Sequence, residues 1–195
     1  PAGEGCRHLD YSPDGRYVYC ANELGSSVSV FAYEDGKLDL IDTFAALPAG
    51  FDGQNTAAAI RVSADGKTLY VSHRGDDSVC AFDITDGGKR LANPVWTKVG
   101  GVSPRDINFT DGFMFSANEK SAVTVFRADG KKLEKLACLT IRDNPKDAEE
   151  AGAEHAVEKT AVMLDDRFLA TPAFALEQCT GVANQMSEVS FKAIK

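Results

Sequence analysis

Charged side chains stand at the ends of apolar runs in this sequence, and their types suit the binding of an anion. Arg7 and Arg74 carry planar guanidinium groups, which can meet a phosphate or carboxylate through two parallel hydrogen bonds. Glu23 lies between them in the chain and is a candidate general base toward water, or alternatively a partner that orients Arg7. For both arginines the alternative to anion binding is a structural ion pair between neighbouring elements.

Other polar residues flank these positions. His8 directly follows the first arginine, so strand alternation predicts that it points to the opposite face and packs between structural units, with catalysis as its alternative role. His73 precedes the second arginine and is a further catalytic candidate, because a neutral imidazole can accept a proton near pH 7. Arg105 is a third anion-binding candidate. Asn55 and Thr56 are candidates either for hydrogen bonding to a substrate hydroxyl or for capping a turn.

A threefold internal repeat predicts how these residues are positioned. Asp-Gly turns at 14–15, 65–66 and 111–112 recur after 51 and then 46 residues, and each is followed by short runs of β-branched and aromatic residues. Every copy holds four such runs separated by turn residues, which indicates a four-stranded antiparallel meander. A four-stranded unit of about 40 to 50 residues is typical of a β-propeller blade.

Alignment of the three copies groups the charged residues at two structural positions. Arg7 and Arg105 fall at the start of the first strand of their units, and Glu23, Arg74 and Glu119 fall at the end of the second strand. Because the second strand runs antiparallel back to the start of the first, we expect the two positions to lie close together. The position after Arg105, Asp106, is expected to accept backbone hydrogen bonds.

Composition excludes several functional classes. The net charge of −8 and the pI near 4.9 argue against a nucleic-acid partner, because such affinity depends largely on Lys and Arg. No apolar run approaches the roughly 20 residues that cross a bilayer, so we expect a soluble, cytoplasmic protein without a membrane partner. The five cysteines are expected to be reduced packing residues. The histidines lack metal-ligand spacing, and no cofactor motif is present, so no metal or cofactor is predicted.

Three long runs resemble a known family. GCRHLDYSPDGRYVYCANEL, NTAAAIRVSADGKTLYVSHRGDDSV and VSPRDINFTDGFMFSANEKSAVTVF are similar to the later blades of the seven-bladed lactonase family, which includes the propeller-type 6-phosphogluconolactonases and is related to the fungal muconate lactonizing enzymes. The resemblance implies hydrolysis of a sugar-acid lactone such as 6-phosphogluconolactone, an anionic small molecule of carbohydrate metabolism and the pentose phosphate pathway. It also implies that Arg7, Glu23 and Arg74 match an arginine, glutamate and arginine of the muconate enzymes' site, whereas the histidine motif upstream has no counterpart here.

The predicted organisation is an all-β, partial propeller of three blades over 1–142, followed by an atypical tail over 143–195 that is expected to be helical or mixed α/β. Three blades cannot close a seven-bladed ring, so we expect open blade edges and an apolar face that favour self-association, and weak or absent lactonase activity of this segment alone. A non-catalytic ligand-binding or scaffold propeller and a muconate-type cycloisomerase are the alternative functions.

Overall fold

The computed structural model describes residues 2–119 and 122–140, which form twelve strands in three antiparallel sheets. The first sheet contains β1 (Cys6–Tyr11), β2 (Tyr17–Asn22), β3 (Ser27–Glu34) and β4 (Lys37–Ala45). The second contains β5 (Thr56–Val62), β6 (Thr68–Arg74), β7 (Ser78–Thr85) and β8 (Arg90–Lys98). The third contains β9 (Pro104–Thr110), β10 (Phe113–Asn118), β11 (Ala122–Asp129) and β12 (Lys132–Thr140). Each sheet follows chain order, so the predicted all-β, four-stranded meanders are confirmed.

The Asp-Gly turns close the first hairpin of each sheet. Gly15 and Gly66 adopt φ of 70° and 69°, in the left-handed region that glycine enters without a steric penalty. In the first of these turns, the Ser12 hydroxyl donates to Asp14 Oδ1 at 2.6 Å, and Ser63 repeats the contact with the aspartate of the second turn. The repeated turn sequence therefore reflects a repeated local structure.

Two hydrophobic cores hold the sheets face to face. In the first core, Tyr19, Val28 and Val30 of the first sheet meet Leu69 and Val71 of the second, with all five side chains fully buried. A second core joins the opposite face of the second sheet to the third and includes Tyr70, Ile107, Met114 and Phe126. The first strands lie side by side, β1 against β5 and β5 against β9. This places the starts of the first strands in one region.

Buried tyrosines add the same hydrogen bond at both interfaces between sheets. The Tyr19 hydroxyl donates to the Gly88 carbonyl at 2.8 Å, and the Tyr70 hydroxyl donates to the Gly130 carbonyl at 2.6 Å. Burial raises the pKa of Tyr19 to about 12, so the hydroxyl remains a donor throughout the physiological range. The equivalent residue of the third unit is Phe115, which has no hydroxyl to donate.

Removal of either inter-sheet hydroxyl should destabilise the fold. We expect Tyr19→Phe and Tyr70→Phe each to lower the free energy of unfolding by about 1 kcal/mol, because a hydrogen bond is lost and a carbonyl loses its donor. Urea unfolding measures the difference, and Tyr11→Phe, at a tyrosine that is 47% exposed, is the matched control. Equal losses in all three variants would show that the two contacts contribute nothing specific.

One face of the first sheet is apolar and exposed. Leu9 and Leu40 are 53% and 49% exposed, whereas Ile60 and Leu91, at the corresponding places in the second sheet, are 0% and 4% exposed. Ile60 and Leu91 are covered because their face of the second sheet packs on the first sheet. Within residues 2–119 and 122–140, no sheet packs on the face of the first sheet that carries Leu9 and Leu40. Exposed apolar area of this kind favours association.

We expect the exposed face to make the chain self-associate. Leu9→Ser combined with Leu40→Ser should shift the molar mass, measured by light scattering across a concentration series, toward the monomer. The control is Val95→Ser, which changes an apolar residue of the second sheet that is 41% exposed. A parent protein that is monomeric at all concentrations would contradict this expectation.

Further sequence-based predictions concern the cysteines, membrane-spanning segments and the C-terminal tail. Cys20 and Cys80 are buried, Cys6 and Cys138 are exposed, and all four are free thiols, while Cys179 lies outside the described residues. In the described ranges no helix is long and apolar enough to cross a membrane. The described strands belong to one compact unit, which ends at residue 140. The predicted tail helix lies outside the described residues.

Candidate functional site

β-Bulges at the starts of β1 and β9 position two of the predicted arginines. Cys6 pairs with Asn22 and His8 with Ala21, so Arg7 is the extra residue of the bulge. Arg105 occupies the same place in the third sheet, where the pairing of β9 with β10 is also shifted. An extra residue interrupts strand alternation and re-aims its side chain. The second sheet has a shift here too, but the aligned residue is a fully buried alanine, so this sheet contributes no cation from its first strand.

Glu23 links the other two predicted residues. It follows β2, and its carboxylate forms a hydrogen-bonded ion pair through Oε1 with Nη2 of Arg74 in the second sheet. Its other oxygen, Oε2, lies 3.7 Å from Nε of Arg7 in its own sheet. The two arginine side chains are 18% (Arg7) and 13% (Arg74) exposed, so the guanidinium groups are largely withdrawn from water. The structure therefore brings together the three residues that the sequence grouped.

Arg105 and Glu119 form a corresponding, more exposed pair in the third sheet. Arg105 Nη1 lies 3.1 Å from Glu119 Oε1, and the two side chains are 49% and 44% exposed. The Ser103 hydroxyl donates to the same carboxylate at 2.7 Å and is the main reason that the pKa of Glu119 is lowered. With Arg7, Glu23 and Arg74 this pair defines the arginine cluster. Its three guanidiniums and two carboxylates leave one net positive charge in a chain of net charge −8.

The arginines keep Glu23 ionised. The hydrogen bond from Arg74 is the largest cause of the lowered pKa of the Glu23 carboxyl, and the charges of Arg74 and Arg7 lower it further. A carboxylate has about four lone-pair sites, so Glu23 can accept a hydrogen bond from water while it contacts both guanidiniums. It can serve as a proton acceptor, although a lowered pKa makes it a weaker base.

His8 is not packed between sheets, and the sequence-based expectation of its position is wrong. The bulge breaks the alternation, so the ring is exposed beside Arg7, whose Nη1 lies 2.8 Å from Nδ1. Partial burial and the charge of Arg7 lower the pKa of His8, which keeps the imidazole neutral at pH 7. His8 therefore lies beside the arginine cluster, and because the acceptor nitrogen of its neutral ring already accepts from Arg7, it can take up a proton only when that hydrogen bond is broken.

His73 and Asn55 lie beneath the cluster rather than in it. His73 is fully buried, and burial lowers its pKa to about 4. Asn55 Nδ2 lies 3.0 Å from His73 Nδ1 and 2.9 Å from Ser26 Oγ of the first sheet, while its Oδ1 accepts from the Asp76 amide at 3.0 Å. The polar atoms of the Asn55 amide thus join the first two sheets. His73 has no surface through which a substrate could reach its ring.

The structure adds residues that the repeat did not single out. Arg61, on β5, pairs with Asp106 of β9 at 2.9 Å and links the first strands. Asp106 Oδ1 also accepts from the backbone amide of the next residue at 2.9 Å, so its predicted role as an acceptor of backbone hydrogen bonds is confirmed. Gln54 and Thr56 line a cleft together with Arg74. Gln54 lies in a loop without periodicity, which explains why no sequence pattern identified it. In the described ranges no group of three or more His, Cys, Asp or Glu could hold a metal ion.

Comparison with known proteins decides the family. The sequence profile described as Lactonase, 7-bladed beta-propeller matches residues 1–139. This chain belongs to the seven-bladed β-propeller lactonase family. An uncharacterized protein from Staphylococcus aureus is 36% identical over 151 residues, covering 75% of this chain and 43% of that protein.

Solved structures agree with this membership. The periplasmic gluconolactonase PpgL of Pseudomonas aeruginosa matches with a TM-score of 0.67 and 36% identity, over 71% of this chain and 40% of that one. A protein from Lactobacillus plantarum matches with a TM-score of 0.68 and 34% identity, over 71% and 42%. The chain thus spans less than half the length of these relatives.

The shared carboxylate should contribute pH-dependent stability. Because the pKa of Glu23 is lower in the folded state, its contribution is present above its unfolded pKa, near 4.3, and is lost as pH falls through the folded value. We expect Glu23→Gln to cost about 1 kcal/mol at pH 7 and progressively less below about pH 4, measured by urea unfolding. Glu134→Gln removes a far more exposed ion pair with Arg127 and is the control. A cost that is independent of pH would contradict the assignment.

Proposed function

We propose that the arginine cluster binds and hydrolyses the lactone of a sugar acid, with 6-phosphogluconolactone and gluconolactone as the candidate substrates. The observation that carries the proposal is the placement of two largely buried guanidiniums, Arg7 and Arg74, on the single carboxylate of Glu23. Membership of the lactonase family and the similarity to a gluconolactonase support it.

The chemistry of lactone opening suits this cluster. A water oxygen attacks the carbonyl carbon, the carbonyl oxygen becomes negatively charged, and the bond to the ring oxygen then breaks to release a hydroxy acid. Guanidinium groups held in place before the reaction stabilise that developing charge without reorganising, which is usually the largest catalytic contribution. The carboxylate of the product meets the same guanidiniums. Arg7 and Arg74 accordingly bind the oxyanion that forms during the reaction and the carboxylate of the product.

Glu23, and His8 once its hydrogen bond from Arg7 is broken, are the two groups beside the arginines that can take the proton from the attacking water. The proton is subsequently transferred to the departing ring oxygen, which becomes the hydroxyl of the product. Activity that depends on His8 should decline as pH falls through a value below 6.5, whereas activity that depends on Glu23 should persist to well below pH 4.5, because both pKa values are lowered. The pH profile of the catalysed rate therefore distinguishes the two.

Arg7→Ala and Arg74→Ala test the proposal in the chain as it stands. We expect each to weaken binding of 6-phosphogluconate and gluconate, the stable products, by about tenfold or more in calorimetric titrations, since a charge-assisted contact is lost. This segment alone is expected to hydrolyse lactones weakly at most, and the same variants should abolish whatever excess over the spontaneous rate it shows, followed by proton release at constant pH. Arg127→Ala, at an arginine that is 61% exposed on β11, is the control.

The outcomes separate catalysis from binding alone. Arginine-dependent binding together with arginine-dependent hydrolysis supports the proposal. Arginine-dependent binding without hydrolysis above the spontaneous rate rejects it for this chain and favours the non-catalytic ligand-binding alternative. Product binding that is unchanged in both variants shows that the arginine cluster is structural.

A further inference from the structure

A cleft lined by residues with polar side chains opens beside the arginine cluster, on the side of the second sheet. Its volume is about 460 Å³, and it is lined by Gln54, Asn55, Thr56 and Arg74. A cleft of this size accommodates a small molecule comparable to a six-carbon sugar acid. Because Arg74 belongs both to the cleft and to the ion pair with Glu23, a ligand held by this guanidinium would extend over the three neighbouring side chains.

The backbone beneath the cleft is held firmly in place. Asn55 is fixed by hydrogen bonds to Ser26 Oγ and from the Asp76 amide. Gly75 adopts a φ of 126°, and a Cβ at this position would clash with the carbonyl oxygen of Gln54. The segment before β5 is thus packed against the loop after β6, so the backbone that carries Gln54 and Thr56 has a defined location. Rigid support of this kind is what selective recognition requires.

Hydrogen-bonding capacity remains in the cleft. Among the residues that the structure describes, the Gln54 amide and the Thr56 hydroxyl have no hydrogen-bond partner, and Arg74 uses only Nη2, toward Glu23 and the Ala57 carbonyl. Nε of Arg74 is buried without a partner. Because the buried Nε is out of a ligand's reach, the cleft offers the Nη donors of Arg74, one hydroxyl and one primary amide, and the amide and hydroxyl can both donate and accept.

We propose that Gln54 and Thr56 determine substrate specificity by binding the ring hydroxyls of the lactone that the arginine cluster holds. This inference rests on the proposed function and adds the residues that distinguish a polyhydroxylated lactone from a simple one. Hydroxyl groups both donate and accept, which matches the mixed capacity of an amide and a hydroxyl. An unsubstituted ring would displace water from these two groups without replacing its hydrogen bonds, so the site discriminates against such a ring.

The experiment compares ligands with and without hydroxyls. Gluconate and 5-hydroxypentanoate are both monoanions, and they are the products of gluconolactone and of the unsubstituted δ-valerolactone. We expect the parent chain to bind gluconate more tightly, and Gln54→Ala combined with Thr56→Val to reduce that preference about tenfold without weakening 5-hydroxypentanoate binding. Thr97→Val, at a partly buried threonine on β8, is the control that should leave the ratio unchanged.

Rates with the two lactones are measured alongside the affinities. A preference that persists in the double variant overturns the inference, even when Arg74→Ala abolishes binding and thereby upholds the anion site. Loss of affinity for both ligands in the double variant, with the fold retained by circular dichroism, also overturns it, because the two residues would then support the arginine cluster rather than read hydroxyls. If the chain prefers gluconate but hydrolyses neither lactone, the result contradicts the proposed reaction and leaves the inference about Gln54 and Thr56 standing.

Discussion

The sharing of one carboxylate by two arginines from neighbouring sheets is the interaction on which the candidate site depends. Glu23 stands at the end of a second strand in the first sheet, while Arg74 ends the second strand of the next sheet. Their ion pair therefore crosses the interface between sheets at the point where apolar packing ends. The Ala57 amide also donates to the backbone carbonyl of Glu23 at 3.0 Å, so main chain and side chain fix the same residue. Any displacement of the sheets would separate the two guanidiniums that are proposed to act together.

Repetition in the fold explains how such a site arises. Each unit has a bulge at the start of its first strand and a charged residue where its second strand ends. The residue types at these two positions vary from unit to unit. The first and third units combine an arginine with a glutamate, whereas the second has a buried alanine and an arginine. Opposite charges consequently alternate across the interfaces between sheets. One type of structural unit, repeated three times, thus builds a site whose chemistry depends on which residues occupy a few equivalent positions.

Most of the fold could be predicted from the sequence, because turns and strand alternation recur in register. The Asp-Gly spacing identified three meanders, and the alignment of the three copies predicted from sequence alone that Arg7, Glu23 and Arg74 lie close together. The position of His8 could not be predicted in this way. A bulge adds one residue to a strand, and the sequence does not show which residue lies outside the ladder. The surroundings of His73 and Asn55 could not be predicted for a different reason, since a polar residue beside a site looks the same in sequence whether it faces a ligand or joins two sheets.

The central claim is that Arg7 and Arg74 bind the anionic group of the ligand, and the guanidinium signals themselves test it most directly. In a spectrum of arginine Nε–Hε resonances, titration with 6-phosphogluconate should shift the signals of Arg7 and Arg74, assigned through Arg→Lys variants, with a common dissociation constant. The signal of Arg127, whose pair with Glu134 lies on the outer strands, should not move. Equal small shifts of all arginines, or shifts confined to exposed ones, would contradict the account.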